Sequence, residues 1–375
     1  MNAGWRIGIA ALLLGLAACG GPGGGGEIHI GLAGSMGTAG GRAVRQSAEM
    51  AVDEINARGG IGGRRLALVV KDDGGDPRRA IEVATELRDD ARVVAVIGHI
   101  NSSATLAAAG VYNDPRRGVV ALSPTASSPQ VTLAGPWTFR VSPSDLAYGP
   151  ALARWARARG VRRAAVLYAN DEYGRGVAAS FAGTFRGEGG ALVAQDPYLT
   201  EMLTAGTGPE PYLRRALARG MDALFIAGSA EDAAAILPRA RGLGYTGLVM
   251  GADGLLGVEA EGAVAEGVFI GAAFFADSRD TAAARFVGEY QRRFRSLPNA
   301  DAALGYDAMR VMEQALARGG ADRARIRAYL EGIGSANPAV EGVAGTIRFD
   351  RNGDVPQKEV AVGVVRGGTV VSAGR

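Results

Sequence analysis

The chain has 375 residues, 47% of them hydrophobic and 21% charged, with a formal net charge of +3 from 41 basic and 38 acidic side chains. That length exceeds one ordinary domain and suits two, each able to bury its own core. The charges are interspersed and form no concentrated basic patch, which excludes nucleic acid as the expected partner.

Residues 1–18 read as an export signal: Arg6 precedes the apolar run IGIAALLLGLAA, which is too short to span a bilayer comfortably. The run ends in LAAC, Leu16 to Cys19, which resembles a bacterial lipobox, and Cys19 is the only cysteine in the chain. Lipidation of Cys19 is therefore expected, with no disulfide. Residues 19–26, rich in glycine, read as a flexible tether. The expected product is exported and held at the extracytoplasmic face of the envelope by its lipid alone.

Beyond the tether, short β-rich runs alternate with helical patterns, the signature of an α/β fold with parallel sheets covered by helices. The predicted strands are EIHIGLA, RLALVVKD, RVVAVIG, GVVALS, RRAAVLYA, ALVAQD, DALFIAG, GLVMGA and GVFIGAA. In the first helix, GRAVRQSAEMAVDEINARGG, Ala43, Val44, Ala48, Ala51, Val52 and Ile55 share one face, and the closing glycines suit a left-handed cap. In the second, Asp76 is placed as N-cap and Pro77 at the first helical position. Residues 93–127 and 223–255 follow the same plan of strand, polar loop, Ala-rich helix and strand. Two lobes of similar topology are the natural reading.

The stretch VIGHINSSATLAAAG crowds hydrogen-bonding groups where a strand becomes a helix. Helix capping explains such clusters in general, and an anion site at a helix amino end explains them equally well. Ligands of open α/β sheets bind beyond the carboxyl ends of strands. Ser102, Ser103, Ser123, Thr125 and Ser127 from one lobe would then face Ser229 and Asp253 from the other. Asp253 ends an apolar strand, where an unpaired carboxylate is costly and a cationic ligand group would satisfy it. Its alternative role is the N-cap of the following turn. Acceptor and donor walls a few ångströms apart suit an α-amino acid zwitterion.

Enzyme chemistry finds little support. His29 and His99 are the only histidines, lack a second ligand at metal-like spacing, and read as structural. Neither a G-x-S-x-G elbow nor a P-loop is present. Gly31, Gly34 and Gly37 do not match the dinucleotide fingerprint G-x-G-x-x-G. The carboxylates of KDDGGD read as a solvated turn, and FDRNGD as a hairpin turn around Asn352 and Gly353 rather than a calcium loop. No cofactor or metal is expected.

The segments AVDEINARGGIGGRRLALVVKDDGGDP, AVIGHINSSATLAAAGVYND, VVALSPTASSPQVT, FRVSPSDLAYGPALA, AAVLYANDEYGRG, GADGLLG and ALGYDAMRVMEQAL together resemble the leucine/isoleucine/valine-type periplasmic binding proteins of ABC transporters. The resemblance implies two Rossmann-like lobes joined by a three-strand hinge, residues 27–145 with 277–335 and residues 146–276 with 336–375. It also implies a non-enzymatic receptor that closes on a small ligand, in the leading case a branched-chain amino acid, and delivers it to a permease driven by an ATPase. By the same resemblance, Ser102 and Ser127 meet the ligand carboxylate, assisted by main-chain groups around Ile100, Asn101 and Thr125. Asp253 meets the ammonium, and Tyr173 and Ser229 border the ligand. Three departures point to a roomier or more polar side-chain pocket: Asp253 is shorter than the glutamate of leucine-binding members, and Gly40 and Ser229 stand where aromatics are frequent. An amide, urea or aromatic-acid receptor, or a sensor of the same fold, is the alternative reading.

Overall fold

The computed structural model describes residues 26–203 and 208–374. The export signal and Cys19 lie outside the described residues. Among them the strands are β1 Ile28–Gly34, β2 Leu66–Asp72, β3 Val93–Ile97, β4 Val120–Ser123, β5 Thr138–Arg140, β6 Arg163–Ala169 and β7 Ala191–Tyr198. The chain continues through β8 Ala223–Ala227, β9 Leu248–Gly251, β10 Phe269–Ala272, β11 Val340–Gly342, β12 Gly345–Ile347, β13 Ala361–Arg366 and β14 Thr369–Ser372.

β1 to β5 form a parallel sheet in the order β2-β1-β3-β4-β5. The parallel strands of the second sheet, read as β7-β6-β8-β9-β10, repeat that order, and the antiparallel hairpin β13–β14 extends its β10 edge. The two βαβ units at 93–127 and 223–255 occupy equivalent places, as their self-resemblance implies. All nine predicted strands are present.

The strands pack because both faces are apolar. Every residue of β3 and of β8 is buried, and each large aliphatic side chain so buried contributes about 1.5–3 kcal/mol. The helix Ala39–Ala57 buries its predicted face, and Thr38 caps it by accepting from Gly41 N at 3.1 Å. It closes on Gly59 and Gly60, both at positive φ, with Gly60 N donating to Ile55 O. Asp76 caps the next helix, accepting from the Arg78 and Arg79 amides, with Pro77 at its first position.

Helix Ala300–Gly319 packs on Ala39–Ala57 and so belongs to the layers of the first sheet. Residues 340–358 correct the expected grouping, which put 336–375 with the second sheet. Asp307 on that helix accepts from Val343 N and Ala344 N, and the Phe349 ring lies tilted against Phe139 with centroids 5.3 Å apart. Only β13 and β14 join the second sheet.

Two turns also differ from expectation. Asp350 does nucleate a turn, accepting from Asn352 N and Asp354 N. It joins no hairpin, because β12 and β13 belong to different sheets. In KDDGGD, Asp73 is buried against His99 rather than solvated.

Candidate functional site

In each sheet the first and third strands lie side by side while their connections leave in opposite directions, and this switch point opens a crevice at the strands' carboxyl ends. The loops after β1, β3 and β4 of the first sheet meet the loops after β6, β8 and β9 of the second. They enclose a cavity of about 220 Å³. Ile100, Asn101, Ser102, Thr125, Tyr173, Ser229 and Asp253 all line it. Ser127 does not.

On the first wall, Asn101 stands at the N-cap of helix Ser102–Tyr112, yet its side chain makes no capping bond and its Oδ1 is buried without a partner. Capping therefore does not account for this cluster. The first intrahelical bond runs from Thr105 N to Asn101 O, so the amides of Ser102, Ser103 and Ala104 precede the ladder. Such amides suit an anion. Ser102, 1% exposed, accepts from Ser128 N at 3.1 Å, and Thr125 Oγ1 donates to Ile100 O at 2.6 Å, which ties the two loops together.

Ser127 corrects the expectation that its hydroxyl faces the ligand. Its Oγ is buried without a partner, and its carbonyl is held from below by Arg140 Nη1 at 3.1 Å and by Asp145 N at 2.9 Å. Arg140 also donates to Ser128 O at 2.6 Å. Its fully buried guanidinium is paired with Asp354 through Nε and Nη2. This network fixes the loop whose neighbours, Thr125 and Ala126, line the cavity.

On the second wall, Asp253 begins a 3-10 turn after β9 and is 8% exposed. The Tyr173 hydroxyl donates to its Oδ1 at 3.0 Å and accepts from Gly254 N at 2.9 Å. Burial pushes the Asp253 carboxyl up to about 6, against the lowering effect of tyrosine hydroxyls and nearby amides. No cation pairs with it among the described residues. Ser229 has the capping role: it forms a reciprocal capping box with Asp232 at the start of helix Ala230–Gly242.

Asp301 also lines the cavity, as do Ser35, Thr38 and Gly40; of these four, sequence reasoning marked only Gly40, as a position where an aromatic is frequent. Asp301 sits in the first turn of helix Ala300–Gly319 behind the N-cap Asn299. Burial, then the neighbouring charge of Asp253, push its carboxyl up to about 7. The sequence signal for Asp301 was masked, since an acidic residue in a first helical turn is ordinary dipole chemistry.

The walls touch directly. Ser128 Oγ donates to Glu172 Oε1, and Glu172 N donates to Ser103 Oγ, both at 3.2 Å. Ser123 stays behind the wall, donating to His99 O. His99 is structural, its ring nitrogens engaged by Asp73 and Tyr112. His29 lies within β1, though its buried Nδ1 has no partner.

The periplasmic binding protein family model matches residues 27–369. The chain is 31% identical over 229 residues to the Leu/Ile/Val-binding protein of Escherichia coli, an alignment covering 60% of each chain. The aligned stretch thus spans little more than half the length of such curated relatives. Among solved structures, a substrate-binding protein of an ABC transporter from Desulfitobacterium hafniense in complex with Leu is 31% identical, with a TM-score of 0.79 over 92% of this chain and 99% of that one. A leucine binding protein from Thermotoga maritima is 27% identical, with a TM-score of 0.83 over 92% and 98%. These relatives are solute-binding proteins rather than enzymes, and their family has an extracytoplasmic setting. With a family match across nearly all of its length and the paired 2-1-3-4-5 sheets of the type I fold, the chain belongs to the periplasmic binding protein family.

Proposed function

We propose that this chain is the receptor subunit of an ABC importer and that its cavity captures an α-amino acid. The observation that carries this reading is Asp253, a buried carboxylate without a cation, placed on the cavity with the Ser102 helix terminus on the opposing wall. A zwitterion satisfies both at once: its ammonium pairs with Asp253, and its carboxylate accepts from the leading amides of the helix and the Ser102 hydroxyl. The names of the relatives support an amino acid of the branched-chain class as the starting candidate.

Capture works by closure of two lobes, residues 27–145 with 277–358 and residues 146–276 with 359–375, about the three chain passages between the sheets. The Glu172 bridge belongs to the closed form. The closed receptor then docks on a permease whose ATPase supplies the energy, and the lipid on Cys19 keeps it at the membrane. No helix among the described residues is long and apolar enough to cross a membrane.

Thermal unfolding of residues 26–375 in the presence of the standard L-amino acids, small amides, urea and aromatic acids tests the reading. A ligand at a hundredfold over its Kd adds about 2.7 kcal/mol and raises the midpoint. Stabilisation by an amino acid supports the zwitterion site. A shift from an aromatic acid or amide alone overturns it while leaving the receptor fold.

A further inference from the structure

Five carboxylates line the cavity, those of Asp171, Glu231, Asp232, Asp253 and Asp301, and among the described residues no lysine, arginine or histidine does. A zwitterion brings one positive charge and cancels it with its own carboxylate. One ammonium needs one buried carboxylate, and Asp253 supplies it.

The remaining four differ in what already engages them. Asp171 caps helix Glu172–Gly187 by accepting from Gly174 N, and Glu231 is exposed. Asp232 commits Oδ2 to Ser229 N and the Tyr198 hydroxyl, while its Oδ1, in a residue 2% exposed, is buried without a partner. Asp301 has only the Asn299 amide, at a long 3.3 Å, and no ion pair. Its Oδ2 packs close to Gly40, where a Cβ would lie 2.9 Å from it. Glycine at position 40 therefore makes room for this carboxylate at the cavity wall. A cavity that holds a second, half-buried acid beyond the one a zwitterion requires is unbalanced by an aliphatic ligand, which leaves Asp301 protonated or unpaired.

We propose, resting on the amino-acid reading of the cavity, that Asp301 receives a second cationic group and that the preferred ligand is an α-amino acid with a cationic side chain. The raised pKa of Asp301 agrees with this: a cation delivered by the ligand restores the ionised form that burial and Asp253 oppose.

Calorimetric titration of residues 26–375 at pH about 8 with L-arginine, L-ornithine, L-leucine and L-citrulline tests it, the pH chosen so that carboxyls raised toward neutrality are ionised. L-Citrulline matches L-arginine in shape without its charge. The expected result is binding of L-arginine or L-ornithine at least tenfold tighter than L-citrulline and L-leucine, with Asp301→Asn reducing that preference tenfold or more. If Asp301→Asn does not fold, the comparison of L-arginine with L-citrulline on the unaltered chain decides. L-Leucine or L-citrulline binding as tightly as L-arginine overturns the role of Asp301 and leaves the amino-acid reading intact. Failure of every amino acid overturns both.

Discussion

The Tyr173 hydroxyl donates to Asp253 Oδ1 at 3.0 Å while accepting from Gly254 N at 2.9 Å, so one side chain orients the carboxylate and anchors the turn that carries it. Asp253→Ala is predicted to weaken amino-acid binding by about 2–5 kcal/mol, because a desolvated ammonium loses its partner. Tyr173→Phe should cost about 1.5–3 kcal/mol, the range for a hydrogen bond to a charged group. Calorimetry of both variants checks this, and unchanged affinity in Asp253→Ala removes that residue from the site.

Affinity should depend on pH through the same carboxylate. Asp253 must be ionised to pair with an ammonium, so binding strengthens as pH rises through about 6 and then levels. Below that value, binding releases a proton, which titration in buffers of different ionisation enthalpy detects.

The ligand-free protein should respond in the opposite sense. Burial raises Asp145 to about 7 from an ordinary 3.8, as it raises Asp253 and Asp301. A carboxyl raised on folding binds protons that the unfolded chain has released, so its contribution is fully present below the unfolded value and is lost as pH climbs to the folded one. For Asp253 the difference amounts to about 3 kcal/mol at 1.36 kcal/mol per unit. Asp145 is fully buried, lies off the cavity lining, and has both oxygens without a partner. Asp145→Asn should therefore flatten the decline in urea-unfolding free energy between pH about 4 and about 7. An unaltered slope would contradict the burial argument.

Arg140 and Asp354 link the site loop to the last third of the chain. Asp354→Ala leaves the buried guanidinium uncompensated, which costs about 3–5 kcal/mol in comparable pairs. A large fall in the unfolding midpoint is expected, together with weaker ligand binding, because Arg140 also holds the Ser127 and Ser128 carbonyls. Loss of stability without any loss of affinity would show that the loop keeps its position alone.

The bridge through Glu172 should govern how long the closed form lasts. Glu172→Ala removes the side-chain bond from Ser128 and keeps the amide bond to Ser103. One net hydrogen bond is worth about 1 kcal/mol, or about a fivefold faster ligand release in stopped flow. No change in release would place the bridge outside the closing motion.

The long buried strands were legible because runs such as VVAVI and ALFIA are apolar on both faces, and the caps Asp76 and Gly59–Gly60 followed from local chemistry. β5, β11 and β12 span three residues each, too few to show a period. The hairpin β13–β14 carried a usable signal, two β-branched runs around Gly367-Gly368, both at positive φ. Side-chain direction was harder. Ser127 and Thr125 are two residues apart in one loop, yet the hydroxyl of one is buried behind the wall while the other residue lines the cavity. Asp301 resembles any acidic residue in a first helical turn, and only the packing of its helix against Ala39–Ala57 brings it opposite Gly40.

One cavity is proposed to hold both ends of a zwitterion. Calorimetric titration of residues 26–375 with the tightest-binding amino acid, its analogue lacking the amino group, and its carboxamide measures each end separately. Each analogue is expected to lose about 2 kcal/mol or more. An analogue without the amino group that binds as tightly as the amino acid would contradict the pairing with Asp253.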